Sequence, residues 1–429
     1  MTAHVDHTDG SRPGEALAVG FVGILGSGNI GNDASFEAVL GYLRRAHPDV
    51  VIDAMCTGPD RLRSVFGIDA TPLYIHLTRR RNRNQAVATK LRLRRLTKII
   101  RIGLKIPRIG LETVLSGLRL TSWVRRHDVV IVPGMGVLET TLRIQSWGTP
   151  YWMFVLSLAG RVFRTKVAFV CVGASPIHQR LTRLLYTYAA KLAFYRSYRD
   201  DFSRDVLRQQ GVDVTADHVY PDLVFGIPPL SDEPGDPRTV GLGVMEFYGN
   251  NDDRAQAEIL HEAYGNNIKL LARKLLESGC NLRFFIGDTN NDGVFLDEIL
   301  ADLRTRHPGL GPRRLLAPPS ESFEDLMAAM TPCGSVVAAR FHNVMCAIKI
   351  AKPIIATGYS AKHHNLMSSV GMTPYSLEIR RLDVDLIIKQ LDELKDRSAK
   401  IRETLRQHHA AHARAVERQF TELSEVLFR

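Results

Sequence analysis

Short apolar runs bounded by glycine, proline or aspartate alternate along the chain with longer segments whose apolar positions recur at three- and four-residue spacing. This pattern predicts strands alternating with amphipathic helices. Residues 16–25 (ALAVGFVGIL) read as a buried strand, 33–45 as a helix, and Val50, Val51 and Ile52 as a strand ending at Asp53. Strands follow at 128–132 and 166–172, and helices at 151–163, at 181–194 and from Ser203 to a stop at Gly211. After the turn-rich stretch 228–238 (PPLSDEPGDPR) the alternation restarts. It gives strands at 239–245, 282–286, 336–337 and 354–355, with helices at 255–277, at 323–330 and just beyond Arg340. Residues 384–427 are helical in spacing. The expected organisation is a disordered leader (1–15), an N-terminal Rossmann-like domain (16–230), a C-terminal one (238–380) and a C-terminal helical segment (381–429).

Composition agrees with two soluble domains: 429 residues, 45% apolar and 24% charged. No apolar run reaches the roughly 20 residues that span a bilayer. The polar first residues lack the basic and apolar regions of a signal peptide, so a cytoplasmic protein is expected, with peripheral contact at the inner membrane face open to it. Five scattered cysteines in apolar surroundings read as reduced core thiols.

Charge changes the picture more. The chain carries +11 overall, yet the stretch from Arg79 to Arg108 alone holds twelve Lys or Arg and no acid. From Leu91 onward its basic residues interleave with leucine and isoleucine, so 79–111 reads as a basic amphipathic insertion suited to an anionic membrane surface. It contains no aromatic residue on which bases could stack, and no recognition module accompanies it, so nucleic acid is not the expected partner. A solvated insertion without a partner is the alternative.

Candidate chemistry sits at predicted strand exits. Gly26-Ser27-Gly28-Asn29-Ile30-Gly31 between strand and helix, with Asp53 after the next strand, has the form of a dinucleotide fingerprint. A glycine turn ahead of a helix serves any phosphate, carboxylate or sugar hydroxyl, and Asn29, Asn32 and Asp33 suit sugar hydroxyls better than a pyrophosphate. Gly134 and Gly136 follow the next strand, His178 lies beyond another, and Arg199 is at a strand exit or helix start. Late in the chain Arg340-Phe341-His342 and Lys362-His363-His364 occupy two more exits. Asp288 to Gly293 begins like a calcium loop, but its twelfth position is Ile299 and a strand precedes it, so a turn is expected. His408, His409 and His412 lack a neighbouring carboxylate ligand and read as solvated helix residues, so no metal site is expected.

Several of these segments, in order, resemble motifs of the polysaccharide pyruvyl transferase family over about residues 17–372. They are Gly28-Asn29-Ile30-Gly31-Asn32-Asp33-Ala34, Val132-Pro133-Gly134-Met135-Gly136, Tyr198-Arg199-Asp200-Asp201-Phe202-Ser203 with Pro221-Asp222, and Arg340-Phe341-His342 followed by Lys352-Pro353 and Tyr359-Ser360-Ala361-Lys362-His363. The chain departs from the family at Gly134-Met135-Gly136, at Val172-Gly173-Ala174-Ser175-Pro176 and at Val244-Met245-Glu246-Phe247-Tyr248, which bears on the acceptor more than the donor.

The resemblance implies two Rossmann-like domains facing across a cleft, as in GT-B glycosyltransferases, with a C-terminal helix packing back over the first. It implies transfer of the carbon skeleton of phosphoenolpyruvate onto two hydroxyls of one sugar, giving a cyclic pyruvate ketal and phosphate. Phosphoenolpyruvate is then a co-substrate, and no separate cofactor is expected. His342 becomes the candidate acid or base, with His178 or Asp33 as counterpart. Arg340, Arg199, Phe341 and Lys362 become donor-binding candidates, and Gly28, Asn29, Asn32, Gly136 and Glu246 acceptor-binding ones. The acceptor is expected to be a polysaccharide or glycolipid precursor, often lipid-linked, which gives the basic insertion a use at the inner face of the membrane. A GT-B glycosyltransferase using a nucleotide sugar and a non-catalytic glycan- or lipid-binding relative are the competing readings.

Overall fold

The first half forms a seven-stranded parallel sheet whose central strands are covered on both faces, which is why their apolar runs are continuous rather than alternating. The molecule is described by a computed structural model covering residues 16–75, 110–139, 147–231, 233–249 and 251–429. The strands are β1 (Ala18–Gly23), β2 (Val51–Cys56), β3 (Asp69–Pro72), β4 (Val129–Pro133), β5 (Lys166–Val172), β6 (Tyr195–Tyr198) and β7 (His218–Val219), ordered β3-β2-β1-β4-β5-β6-β7. The second half repeats the plan with β8 (Asp236–Gly243), β9 (Asn281–Phe285), β10 (Leu315–Leu316), β11 (Cys333–Ala338), β12 (Ile354–Gly358) and β13 (Ser376–Glu378), ordered β10-β9-β8-β11-β12-β13. Strand order reverses between β1 and β4 and again between β8 and β11, leaving a crevice at the carboxyl end of each sheet.

The C-terminal helix Ser398–Leu427 packs back over the first domain. Its Val416, Phe420, Leu423 and Leu427, spaced as one helical face, are buried. Gln419 Nε2 donates to Ser197 Oγ on β6 at 2.8 Å, and Phe420 stacks on Tyr42 with ring centroids 4.7 Å apart. Both Tyr220 Oη and His218 Nδ1 bond Glu422. The expected fold class, α/β from the pattern and two facing Rossmann-like domains from the resemblance, is the one observed.

Several details differ from the pattern. Helix Gly293–Arg306 was hidden behind the polar Asp288–Gly293 stretch, whose last carboxylate, Asp292, is fully buried instead of facing a calcium ion. Lys362 and His363, expected at a strand exit, lie in the first turn of the helix that follows β12, Ala361–Ser369. His409 and His412 are half-buried against Phe225, with centroids 6.0 and 4.7 Å from it, and burial pushes both imidazoles down to about 4; they are not solvated. The leader 1–15 and residues 79–109 of the basic insertion lie outside the described residues; Gly110 and Leu111 open a helix over 110–124. All five cysteines are free. Among the described residues no helix is long and apolar enough to cross a membrane.

Candidate active site

The glycine turn after β1 does not wait for a dinucleotide. Asn29 caps helix Ile30–Ala46 through its side chain, which accepts from Asn32 N at 3.2 Å. The helix's first free N–H, on Ile30, is taken by Gly287 O of the second domain at 3.1 Å. Thr289 N bonds Gly28 O at 3.0 Å and Asn290 Nδ2 bonds Ser27 O at 2.6 Å. A Cβ on Gly28 (φ +86°) would lie 2.6 Å from Thr289 Oγ1, and one on Gly31 1.9 Å from the His342 ring. The glycines are needed because the loops of the other domain press against this turn. Asn32 Nδ2 is likewise spent on Ile24 O, at 3.1 Å. Asp53 lies inside β2 and accepts from Trp123 Nε1 at 3.1 Å and bonds His127 Nε2 at 2.8 Å, so it serves the core and not a ribose.

The strand exits of the two domains thus face each other. Arg340, at the N-cap of helix Phe341–Lys349 and at the second domain's switch point, forks onto Asp292, with Nε 2.9 Å from Oδ2 and Nη2 bonded to Oδ1. Asp292 also accepts from Glu246 N and Asp288 N, each at 3.1 Å, so a buried carboxylate ties the β8 and β9 exit loops to the arginine at the β11 exit. Burial alone would lower the Arg340 pKa, but the Asp292 bonds outweigh it and hold the guanidinium charged. About a fifth of the Arg340 side chain stays exposed. The Glu246 carboxylate is half-buried, with Tyr248 Oη at 3.4 Å.

Opposite this lies a second cluster centred on Glu139, at the exit of β4. Its buried carboxylate pairs with Arg199 Nη2 and stands 3.5 Å from Lys362 Nζ, joining the β4, β6 and β12 exits across the domains. Burial would push the Glu139 carboxyl up, but Lys362 and Arg199 outweigh it and hold it at about 2. Both cations lie 5.3 Å from the centroid of the Phe341 ring, so Phe341 joins the cluster through its π face. Gly136 makes room: a Cβ there would come within 2.7 Å of the Glu139 carboxyl carbon, and one on Gly173 within 2.3 Å of Arg199 Nη2.

His342 follows Phe341 and stands between the clusters. Its Nε2 is buried without a hydrogen-bond partner. Burial, reinforced by the positive charges of Arg199 and Lys362, pushes its imidazole down to about 3, so the ring is neutral at physiological pH. His363, by contrast, is fully buried and engaged, with Nε2 3.0 Å from Ala339 O and Nδ1 3.2 Å from Ser360 Oγ; it fixes the β11 exit. Beside the cluster a cavity of about 400 Å³ is lined by Arg199, Asp222, Phe225, Phe341, Lys362 and His412. Burial pushes the Asp222 carboxyl up to about 6 against the pull of Arg199.

Arg199, Phe341, His342 and Lys362 therefore converge, with Arg340 next to Phe341 at the β11 exit. His178 does not join them: it is exposed, in a surface groove along helix Arg180–Leu192. Asp33 is buried, its oxygens taken by Gly26 N at 2.7 Å and Arg61 Nε at 3.3 Å, so it braces the glycine turn. Sequence reasoning missed Glu139 and Asp292. The first carried a signal, a lone acid directly after the glycine turn at 134–136; the second was masked by the calcium-loop pattern around it. Among the described residues no group of three His, Cys, Asp or Glu side chains could hold a metal ion.

Comparison with known proteins agrees with this architecture. The family model for polysaccharide pyruvyl transferase matches residues 29–361. A search of curated proteins finds no match. Among solved structures, the UDP-GlcNAc 2-epimerase of Neisseria meningitidis, bound to UDP-GlcNAc, superposes with a TM-score of 0.56 at 12% identity, covering 96% of this chain and 100% of that one. The UDP-GlcNAc 2-epimerase of Methanocaldococcus jannaschii gives 0.55 at 11% identity, covering 95% and 100%. S. aureus MnaA, in a co-structure with UDP, gives 0.55 at 10%, covering 96% and 97%. At these identities the likeness shows the GT-B-like fold alone. The family match spans most of the chain: the protein belongs to the polysaccharide pyruvyl transferase family.

Proposed function

We propose that this member of the polysaccharide pyruvyl transferase family is a ketal pyruvyltransferase that takes phosphoenolpyruvate as donor and a sugar diol as acceptor. The observation that carries the reading is the Glu139 cluster: two cations, Arg199 and Lys362, share one buried carboxylate beside a neutral histidine. Phosphoenolpyruvate carries a carboxylate and a phosphate close together, and such cations bind both with charge-assisted hydrogen bonds. In the free enzyme the Glu139 carboxylate occupies the place of a donor anion. Arg340, held rigid by Asp292 and adjoining Phe341 and His342 in the chain, offers its remaining guanidinium N–H groups.

Chemically, a proton adds to the donor's methylene carbon, and the adjacent carbon becomes electrophilic. One sugar hydroxyl attacks that carbon and loses its proton. Phosphate then departs with the C–O bond electrons, and the second hydroxyl closes the ring. One hydroxyl proton replaces the proton consumed at the methyl group and the other leaves with phosphate, so the reaction balances without an oxidant or reductant. His342, neutral and unpartnered at Nε2, is the proton-exchanging group. Bound phosphate reverses the sign of its electrostatic surroundings, raises its pKa and lets it return the proton. His178, exposed in a separate groove, and Asp33, bonded to Gly26 and Arg61, are not assigned as its counterpart. Glu246 lines the acceptor side.

The acceptor is a polysaccharide or glycolipid precursor carried on lipid, and the basic stretch 79–108 keeps the enzyme at the anionic inner leaflet. The test is inorganic phosphate release from phosphoenolpyruvate across a panel of glycosides and glycolipids, with the ketal identified by NMR. His342→Ala should abolish turnover while leaving donor binding in place. Turnover by His342→Ala at the wild-type rate, or transfer from a nucleotide sugar in place of phosphoenolpyruvate, would overturn the reading.

A further inference from the structure

Three helices on one face of the first sheet present an apolar surface that no other described residue covers. From β3 through β4, β5 and β6 the chain moves across the sheet in one direction, and right-handed crossovers put the connecting helices on a single face. They are the helix over 110–124, Thr149–Phe163 and Arg180–Leu192. The first touches the second closely enough that a Cβ on Gly117 would lie 2.5 Å from Tyr151 Oη, and the second packs along the third.

Each helix is apolar on its outer side as well as its inner one. In the first, Leu120, Trp123 and Val124 are buried, while Leu111, Val114 and Leu118, one helical stripe, are more than half exposed. In the second, Leu158 and Val162 share a stripe, Val162 being 63% exposed. In the third, Leu184 and Tyr188 project outward, Leu184 being 53% exposed.

The charges on these helices are one-sided. Glu112 is their single acidic residue, against Arg119, Arg161, Arg180, Arg183 and Lys191. Among the described residues neither Arg161, Arg180 nor Arg183 has an ion-pair partner. His178, Arg180, Arg183 and Lys191 line a groove of about 880 Å³ beside Leu184 and Tyr188. A helix face with apolar stripes flanked by cations and almost free of acids complements anionic headgroups over acyl chains. The chain on either side of the +12 stretch also reaches this face, since Tyr74 and Ile75 share a groove with Glu112, Thr113 and Trp147.

We infer that this three-helix face docks onto an anionic lipid leaflet, with Leu118, Val162 and Leu184 entering the headgroup region and Arg161, Arg180, Arg183 and Lys191 meeting phosphates. The first two helices begin at the strand-exit edge of the sheet, so docking sets the cleft beside the leaflet. That use, bringing a lipid-linked acceptor to the cleft, rests on the function proposed above; the docking itself does not.

The test is co-sedimentation of the full chain with vesicles of phosphatidylcholine alone or with added phosphatidylglycerol. The wild-type protein should pellet with the anionic vesicles only and be partly released by salt. Leu118→Glu, Val162→Glu and Leu184→Glu should each lower the bound fraction about fivefold or more, because each sets a carboxylate among lipid headgroups of like charge. Ile259→Glu and Val294→Glu, at equally exposed sites on the second domain, should leave it unchanged. Failure of the wild-type protein to pellet, or equal binding by all five variants, would overturn the inference. So would light scattering that shows a wild-type oligomer which the three variants convert to monomer, since the face would then bind a second copy. Stabilisation by phosphoenolpyruvate, followed in the same samples, keeps the two proposals separable: it should be unaltered in the vesicle-defective variants, and its absence beside normal vesicle binding would count against the donor assignment alone.

Discussion

Glu139→Gln removes the negative charge shared by Arg199 and Lys362 while keeping the shape of the side chain. The Arg199 side chain is 5% exposed and that of Lys362 20%, so water cannot take over the lost role. Breaking a buried ion pair by removing one partner costs roughly 3–5 kcal/mol, because the remaining charge is left uncompensated. For a domain of about 200 residues each kcal/mol corresponds to roughly 2–4 °C in Tm, so the ligand-free variant should melt at least about 6 °C below the wild type. Under the proposed function, phosphoenolpyruvate brings its own anion and in this variant meets no resident carboxylate. At saturating donor the variant should therefore recover more stability than the wild type gains, where a ligand at a hundred times its Kd contributes about 2.7 kcal/mol. Differential scanning fluorimetry with and without phosphoenolpyruvate reads both quantities. A ligand-free melt equal to that of the wild type would refute the buried charge network. A donor-induced shift no larger than the wild type's would refute the claim that Glu139 stands where the donor anion binds.

Three further outcomes follow from the same geometry. Gly31→Ala places a Cβ about 1.9 Å from the His342 ring, so the ring must move; turnover should fall at least about tenfold, with circular dichroism unchanged. Asp292→Asn leaves Arg340 charged without its fork partner and should cost roughly 3–5 kcal/mol in urea unfolding, a larger loss than Asp222→Asn causes under the same conditions. Asp222 has a pKa raised to about 6 from an ordinary value of 3.8, so its stabilising effect is complete below about 3.8 and is lost as pH rises through about 6. Asp222→Asn should therefore gain Tm on the wild type as pH is raised across that window, and a pH-independent difference would show that the carboxyl is not burdened by burial.

Periodicity revealed the elements that carry the cleft because their apolar runs are long and cleanly bounded: β1, β4, β5, β8, β11 and β12 are close to the expected spans. Arg340, His342, Arg199 and Lys362 were readable as charged groups at strand exits, and the exits do converge. What the pattern could not give is which charges are already spent. Arg340 looks like a free anion clamp until Asp292, 48 positions away in the chain, proves to be its partner. The glycines at 28 and 31 had the form of a ligand-binding turn, whereas their missing side chains make room for Thr289, Asn290 and His342 of the other domain. His178 was placed by its position beyond a strand and Asp33 by the glycine-turn motif, and long-range packing sends one to the outer surface and locks the other to Gly26 and Arg61.

The donor assignment is tested most directly by isothermal titration of the full chain with phosphoenolpyruvate and, separately, with UDP-GlcNAc. Saturable one-to-one binding of phosphoenolpyruvate, weakened at least about tenfold by Arg199→Ala and absent for UDP-GlcNAc, is the predicted result. Binding of UDP-GlcNAc with no response to phosphoenolpyruvate would contradict it.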